Sequence, residues 1–271
     1  MRKIAKDGGS RQKTGRTMTF FAEGETEMEK RPLIWAHRGA SGYAPENTLP
    51  AFRLAAEMGA EGVELDVQKT KDGQLVVCHD ETVDRTASAK GRIRDYTLAE
   101  LKKLDFCCGN LAYEGVRIPT LEEVLELLGP TGLTMNIEIK TGIVFYEGIE
   151  EQILDTVKAM EWRDRVIYSS FNHETLRTIR RLDPEAPTGV LYADGLVNAA
   201  AYGRSLGAKA LHPAVYNLQY PGFFEECREQ GMEVNVWTVN SGEELRYCGR
   251  LGVHAVITNY PDKARKILEE Q

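Results

Sequence analysis

The chain has 271 residues, a formal net charge of −7 and 42% hydrophobic residues. That length suits one large domain with a substantial core or two small ones, and the acidic balance argues against a nucleic-acid binder, which would present a basic face. Five cysteines at positions 78, 107, 108, 227 and 248, with no C-x-x-C pair, give neither a disulfide framework nor a zinc cage and fit a reducing, cytoplasmic setting.

The first 30 residues differ from the rest. "MRKIAKDGGSRQKTGR" is basic and "EGETEMEK" is acidic, with no apolar h-region of a secretory signal. They are expected to form a mobile tail ahead of a single domain over residues 31–271. No apolar run in the chain approaches the length of a membrane span.

From Leu33 onward, short β-branched runs alternate with helical periods. In chain order the strand candidates are "LIWAH", "GVELDVQ", "TMNIEIK", "RVIYSS", "PTGVLYA", "AKALHPA", "EVNVWTV" and "HAVITNY". Helical segments such as "TLPAFRLAAEM", "YEGIEEQILDTVKAM", "HETLRTIRRL", "YPGFFEECREQ" and "PDKARKILEE" follow most of them. Regular β-then-α alternation predicts parallel strands with crossover helices. Eight such units match a closed (β/α)8 TIM-like barrel, for which ~250 residues is typical. An open doubly wound sheet is the alternative, but no Gly-rich dinucleotide fingerprint follows the first strand.

The first helix carries its own punctuation. Asn47 or Thr48 stands at the cap, Pro50 falls in the first turn, and Gly59 sits where a C-terminal cap glycine belongs. One segment breaks the rhythm. After the second strand, "KTKDGQLVVCHD" reads as a hairpin through Lys71, Asp72 and Gly73. A long, polar, turn-rich stretch follows, so a small insertion of about residues 79–118 is expected after the second strand. That is the strand end where barrel enzymes build their sites.

Side chains two apart on a strand share a face. Glu64 and Asp66 in "VELDV" therefore point together, and "NIEIK" does the same with Glu138 and Lys140. Neither face of a barrel strand welcomes unpaired carboxylates. An ion-pair network with Lys140 and the arginines would account for one such acid. Three converging acids repel one another unless a cation sits among them, and all-oxygen ligation suits Mg2+ or Ca2+ rather than zinc. His37 ends the first strand beside Arg38, and His79 ends the hairpin beside Asp80. Imidazoles titrate near neutrality and suit an acid/base pair. Arg38 can grip phosphate oxygens and Lys140 can add a point charge. These parts suit phosphodiester cleavage, although residue types alone do not separate it from other metal-assisted hydrolysis.

Together "AHRGASGYAPENTLPAF", "GVELDVQKTKDGQLVVCHD", "VDRT", "TLAELKKLD", "RIPTLEEVLELL", "NIEIK", "VWTVN" and "ITNYPD" resemble the glycerophosphodiester phosphodiesterases, in order, over roughly residues 33–263. The resemblance implies a TIM-like barrel with a small insertion. It also implies hydrolysis of glycerophosphodiesters to glycerol 3-phosphate and an alcohol, with a divalent metal. On this pattern Glu64, Asp66 and Glu138 match metal ligands, His37 and His79 the acid/base pair, and Arg38 and Lys140 phosphate contacts. Trp237 resembles a residue lining the substrate pocket. Phe171 and His212, which end the fourth and sixth strand candidates, face the site by topology. Asn47, in the E-N-T element, is read mainly as a helix start, and Asn259 is given no metal role. "FCCGN" departs from the family's small-residue turn, which touches the shape of the insertion but not the chemistry. The expected partner is a small-molecule glycerophosphodiester, with no nucleic acid and no stable membrane insertion. Two rivals remain. A lysophospholipase D would need an apolar rim or a membrane-binding surface, and the sequence shows no such segment. A silent glycerophosphodiester-binding module is disfavoured by the full set of acids and histidines.

Overall fold

The β-branched runs form nine strands: β1 (Leu33–His37), β2 (Gly62–Lys69), β3 (Leu75–Val77), β4 (Thr134–Ile139), β5 (Val166–Ser170), β6 (Thr188–Tyr192), β7 (Ala210–Pro213), β8 (Glu233–Val236) and β9 (Ala255–Thr258). This computed structural model describes residues 31–270, so the tail expected over residues 1–30 lies outside the described residues. Eight of the strands run parallel and close into a barrel, because β1 pairs with β2 on one side and with β9 on the other. The remaining strand, β3, pairs antiparallel with β2 and makes the expected hairpin.

The amphipathic segments form crossover helices at Leu49–Glu57, Ile149–Ala159, His173–Leu182 and Phe223–Glu229, and a last helix, Pro261–Glu269, follows β9. Helices at Leu121–Leu128 and Gly242–Leu251 complete further units. Each opens on a capping box, Thr120 with Glu123 and Ser241 with Glu244, which satisfies backbone N–H groups that would otherwise lack partners. Ala199–Ser205 is a short helix of small residues without a clear apolar period. Among the described residues no helix is long and apolar enough to cross a membrane.

Apolar side chains fill three kinds of space. Outward-facing strand residues such as Leu65 and Ile137 pack with helix residues such as Phe52 and Leu125. Inside the barrel lie Trp35, Ile167, Ala210, Ala255 and Ile257. The insertion has a small core of its own, including Val83, Ile93, Leu101 and Phe106. Phe52 is fully buried, so its truncation to Ala should cost about 3–5 kcal/mol, the usual range for a core aromatic.

Two local features set up the mouth of the barrel. Gly39 has φ +78°, and a Cβ there would lie 2.6 Å from the Ala51 carbonyl carbon, so only glycine lets the chain after β1 turn against the first helix. β2 pairs with β1 only as far as Glu64, and with β3 from Val67 to Lys69. The hairpin therefore rises from the rim between these strands and returns the chain through Cys78 towards the site, where the Cys78 N–H donates to the Asp66 carbonyl at 2.9 Å.

Candidate active site

β2 and β4 are in register, with Glu64 opposite Asn136 and Asp66 opposite Glu138. Glu64, Asp66 and Glu138 are all buried, and one carboxylate oxygen from each lies within 4.8 Å of the others. Burial, reinforced by the charges of Asp66 and Glu138, pushes the Glu64 carboxyl well above the usual range. Burial and Asp66 push Glu138 up to about 7, against the pull of Lys140. Asp66 goes the other way: burial opposes its charge, but Arg38 and Lys140 outweigh burial and hold it low.

The neighbours of these acids are cations and one amide. Lys140 Nζ lies 3.0 Å from Glu138 Oε1 and 3.8 Å from Asp66 Oδ1, and Arg38 Nε lies 3.5 Å from Asp66 Oδ2. Asn47 Nδ2 donates to Asp66 Oδ2 at 2.8 Å. Two cationic side chains thus face three carboxylates, and buried Asp66 Oδ1 has no hydrogen-bond partner within the protein. An all-oxygen donor set and an orphaned buried oxygen are what a hard divalent cation would satisfy. The three acids fit such an ion.

Arg38 has φ +55°, a conformation rare outside glycine. The turn lets its backbone N–H donate to both the Glu64 carbonyl and Glu64 Oε2, at 2.9 and 3.0 Å. Its guanidinium is steadied by Glu46, which accepts from Nη1 at 3.0 Å. Glu46 in turn accepts two bonds from Arg85, and Arg85 donates two more to Asp80.

The two histidines sit at this mouth with different partners behind them. His37 Nδ1–H donates to Asn259 Oδ1 at 2.7 Å, since an amide oxygen only accepts. This leaves the Nε2 lone pair free to face the pocket. Burial and the neighbouring Arg38 lower the His37 imidazole to about 4, so its ring is neutral near pH 7. His79 Nδ1–H donates to the Asp80 carboxylate at 2.7 Å. Arg85 holds Asp80 well below the usual carboxylate range. Gln68, on the same face of β2 as Asp66, fixes the His79 segment through bonds from Nε2 to the carbonyls of Cys78 and Asp80 at 2.8 and 2.7 Å.

Apart from Asn136, the rest of the pocket is apolar. Phe171, Leu191, Trp237 and Ile257 line it opposite His37, Arg38, Glu64, His79 and Glu138. Phe171 meets Trp237 edge-on at 5.5 Å, and Trp237 Nε1–H donates to the His212 carbonyl at 2.7 Å. His212 itself departs from expectation. It is fully buried and does not line the pocket, and its Nε2 accepts from Asn235 Nδ2 at 2.9 Å. β7 turns this side chain into the barrel below the mouth, where its ring meets Trp35 edge-on at 6.2 Å.

The profile of the glycerophosphoryl diester phosphodiesterase family matches residues 37–263. The chain belongs to the glycerophosphoryl diester phosphodiesterase family. A glycerophosphodiester phosphodiesterase of Caldanaerobacter subterraneus is 46% identical over 233 residues, covering 86% of this chain and 96% of that protein. One from Bacillus altitudinis is 40% identical, covering 88% and 98%. A phosphodiesterase of Oleispira antarctica, solved with the product sn-glycerol-3-phosphate, superposes with a TM-score of 0.79 at 31% identity, covering 88% of this chain and 97% of that one. The chain is therefore an enzyme, a phosphoric diester hydrolase.

Within this phosphodiesterase barrel the structure adds contacts that the sequence did not display. Asn47 does not cap the first helix; Thr48 stands at the cap without a side-chain bond, and Asn47 holds Asp66 instead. Asn259 backs His37, Asp80 backs His79, and Glu46 and Arg85 tie the arginine side of the mouth to the histidine side. The "VDRT" and E-N-T elements were visible as family signals, and their contact is what a linear pattern does not display.

Proposed function

We propose that the enzyme cleaves glycerophosphodiesters to glycerol 3-phosphate and an alcohol, with Glu64, Asp66 and Glu138 holding a divalent cation, Mg2+ or Ca2+, and with His37 and His79 moving the protons. The observation that carries this reading is the placement of two imidazoles, each with one ring nitrogen engaged, in one pocket with Glu64 and Glu138 of the buried acid cluster. When bound, the cation supplies positive charge that offsets the charge of the phosphodiester. Arg38 and Lys140 add to it and orient the non-bridging oxygens. Trp237 and Phe171 bound the pocket on its apolar side and exclude water from it.

The partners of the histidines assign their roles. His37, neutral and backed by an amide, takes the proton of the attacking hydroxyl at Nε2. His79, backed by the Asp80 carboxylate, gives a proton to the departing alkoxide. A carboxylate behind an imidazole steadies the charged ring, as in a catalytic triad. The attacking group is water or the substrate's own glycerol hydroxyl, the second gaining from proximity. The substrate is a small molecule, met by the enzyme in the cytoplasm without stable membrane insertion.

The test is a coupled glycerol 3-phosphate assay over a panel of glycerophosphodiesters and divalent metals. Release of glycerol 3-phosphate that requires a metal supports the reading. Release of glycerol and a phosphorylated alcohol instead would overturn the choice of scissile bond.

A further inference from the structure

The chain curls as it leaves β3 for the site, and one amide sits at the centre of the curl. Gln68 Nε2 donates to the carbonyls of Cys78, His79 and Asp80, at 2.8, 3.3 and 2.7 Å. In an extended, pleated strand neighbouring carbonyls point in opposite directions. Three consecutive carbonyls that converge on one nitrogen therefore bend the chain around it. That bend carries the His79 ring to the pocket that it lines. Gln68 is fully buried, so its amide oxygen needs a partner as much as its nitrogen does.

The partner comes from a distant part of the chain. Tyr146, in the loop after β4, donates its O–H to Gln68 Oε1 at 3.0 Å. Burial raises the Tyr146 phenol well above its ordinary value, so it keeps the proton it donates. This bond decides which way round the amide sits. With Oε1 turned to the phenol, Nε2 faces the three carbonyls. The same loop is clamped to the β2–β3 hairpin twice more. Lys69 Nζ donates to the Glu147 carbonyl at 2.7 Å, and Gln152 Nε2, in the helix that follows the loop, donates to the Gly73 carbonyl at 2.9 Å. His79 is thus held from two sides: Asp80 and Arg85 aim its ring, while Gln68 and Tyr146 set its backbone.

We infer that Tyr146 is a positioning residue for His79 and acts through Gln68. The phenol orients the amide, the amide sets the curl, and the curl places the imidazole. The inference rests on the reading of His79 as the proton donor and deepens it. Without the phenolic hydroxyl, Gln68 Oε1 is left buried and unpaired, which favours an amide turned over or displaced. A turned amide presents oxygen to three carbonyls that repel it, and the His79 backbone shifts. A shift of about 1 Å at a reacting group costs on the order of 10²-fold in rate.

The test uses the full chain with saturating Mg2+ or Ca2+ and compares Tyr146→Phe with the wild type on two substrates. Glycerophosphocholine loses an alkoxide that needs a proton, and glycerophospho-p-nitrophenol loses a phenolate that leaves without one. On the first substrate kcat should fall about 10–100-fold with KM changed less than about threefold, the pattern of a lost orienting partner. On the second the loss should be several-fold smaller. Gln68→Met keeps the length of the side chain, removes the amide and should show the same selective loss. Adding Tyr146→Phe to Gln68→Met or to His79→Ala should cost less than about twofold further, because the tyrosine acts through both. A full additional loss in either double variant overturns the inference. So do equal losses on the two substrates in Tyr146→Phe where His79→Ala discriminates between them, since that is the mark of a merely structural role. The NMR signals of the imidazoles give a reading without turnover: Tyr146→Phe should move those of His79 and leave those of His37 in place. Unmoved His79 signals overturn the inference. If they move while His79→Ala shows no dependence on the leaving group, the proton-donor reading fails and the positioning role stands.

Discussion

Arg85 donates to both oxygens of Asp80, from Nε at 2.8 Å and from Nη2 at 2.9 Å, and Asp80 Oδ1 also accepts from His79 Nδ1–H at 2.7 Å. The same guanidinium bonds both oxygens of Glu46, which holds Arg38. One planar fork thus sets the aim of a proposed proton donor and of a proposed phosphate ligand. Arg85→Ala should lower kcat by about 10–100-fold, the usual cost of losing a partner that orients a site. Arg85→Lys should recover little, since a point charge cannot make four fixed bonds. Steady-state kinetics with circular dichroism as a folding control checks this. An unchanged kcat in the Ala variant would remove Arg85 from the site.

The cation should bind in exchange for protons. Glu138 is raised to about 7 and Glu64 is raised as well, so the cation-free protein holds protons that the unfolded chain, with carboxyls near 4.5, does not. The contribution of these groups to stability therefore falls as pH rises from about 4.5 to 7. A divalent cation needs the ionised forms, so its stabilisation should grow across the same window. Calorimetry of Mg2+ binding in buffers of different ionisation enthalpy should register more proton release at pH 6 than at pH 8. Glu138→Gln should reduce both the affinity and the difference.

The histidines should divide the labour. Either alanine variant should lose about 10²–10⁴-fold in turnover, the scale of positioned acid–base catalysis. Losses in the double variant should be far from additive. Substrates with strongly acidic leaving groups should partly rescue His79→Ala and leave His37→Ala unrescued. Rescue in the opposite variant would exchange the two roles.

His212 gives a prediction about stability alone. Complete burial lowers its imidazole to about 3, while the unfolded chain titrates near 6.5. The native ring stays neutral where the unfolded ring is charged, so stability present above pH 6.5 is lost as pH falls towards 3. His212→Gln keeps an acceptor for Asn235 and removes the titration. The difference in unfolding free energy between pH 7 and pH 4 should then be smaller than in the wild type by about 3 kcal/mol. Equal differences would show that the site hydrates and admits the charge.

The barrel was legible because β-branched runs and helical periods alternate along the chain, and each unit is local. The three acids were legible because a carboxylate inside an apolar strand has few innocent explanations. Arg85 and Glu46 were not, since they are 39 residues apart and meet only when the insertion folds back over the mouth. Asn47 carried a cap signal, and a left-handed φ of 56° instead turns its amide to Asp66. His212 ends its strand as expected, but fits inside the barrel because Gly189 on β6 leaves it room; a Cβ there would meet its Nε2 at 2.3 Å.

The central claim is that the buried acids, the cation and the two imidazoles act together on a glycerophosphodiester. The most direct measurement is glycerol 3-phosphate release from glycerophosphocholine by chelator-treated enzyme, before and after titration with Mg2+ or Ca2+, in the wild type and in Glu64→Gln. The account predicts no turnover in chelator, recovery on titration in the wild type, and a loss in Glu64→Gln that excess cation only partly restores. Full turnover in thoroughly chelated protein, or a Glu64→Gln variant with the cation requirement and rate of the wild type, would contradict it.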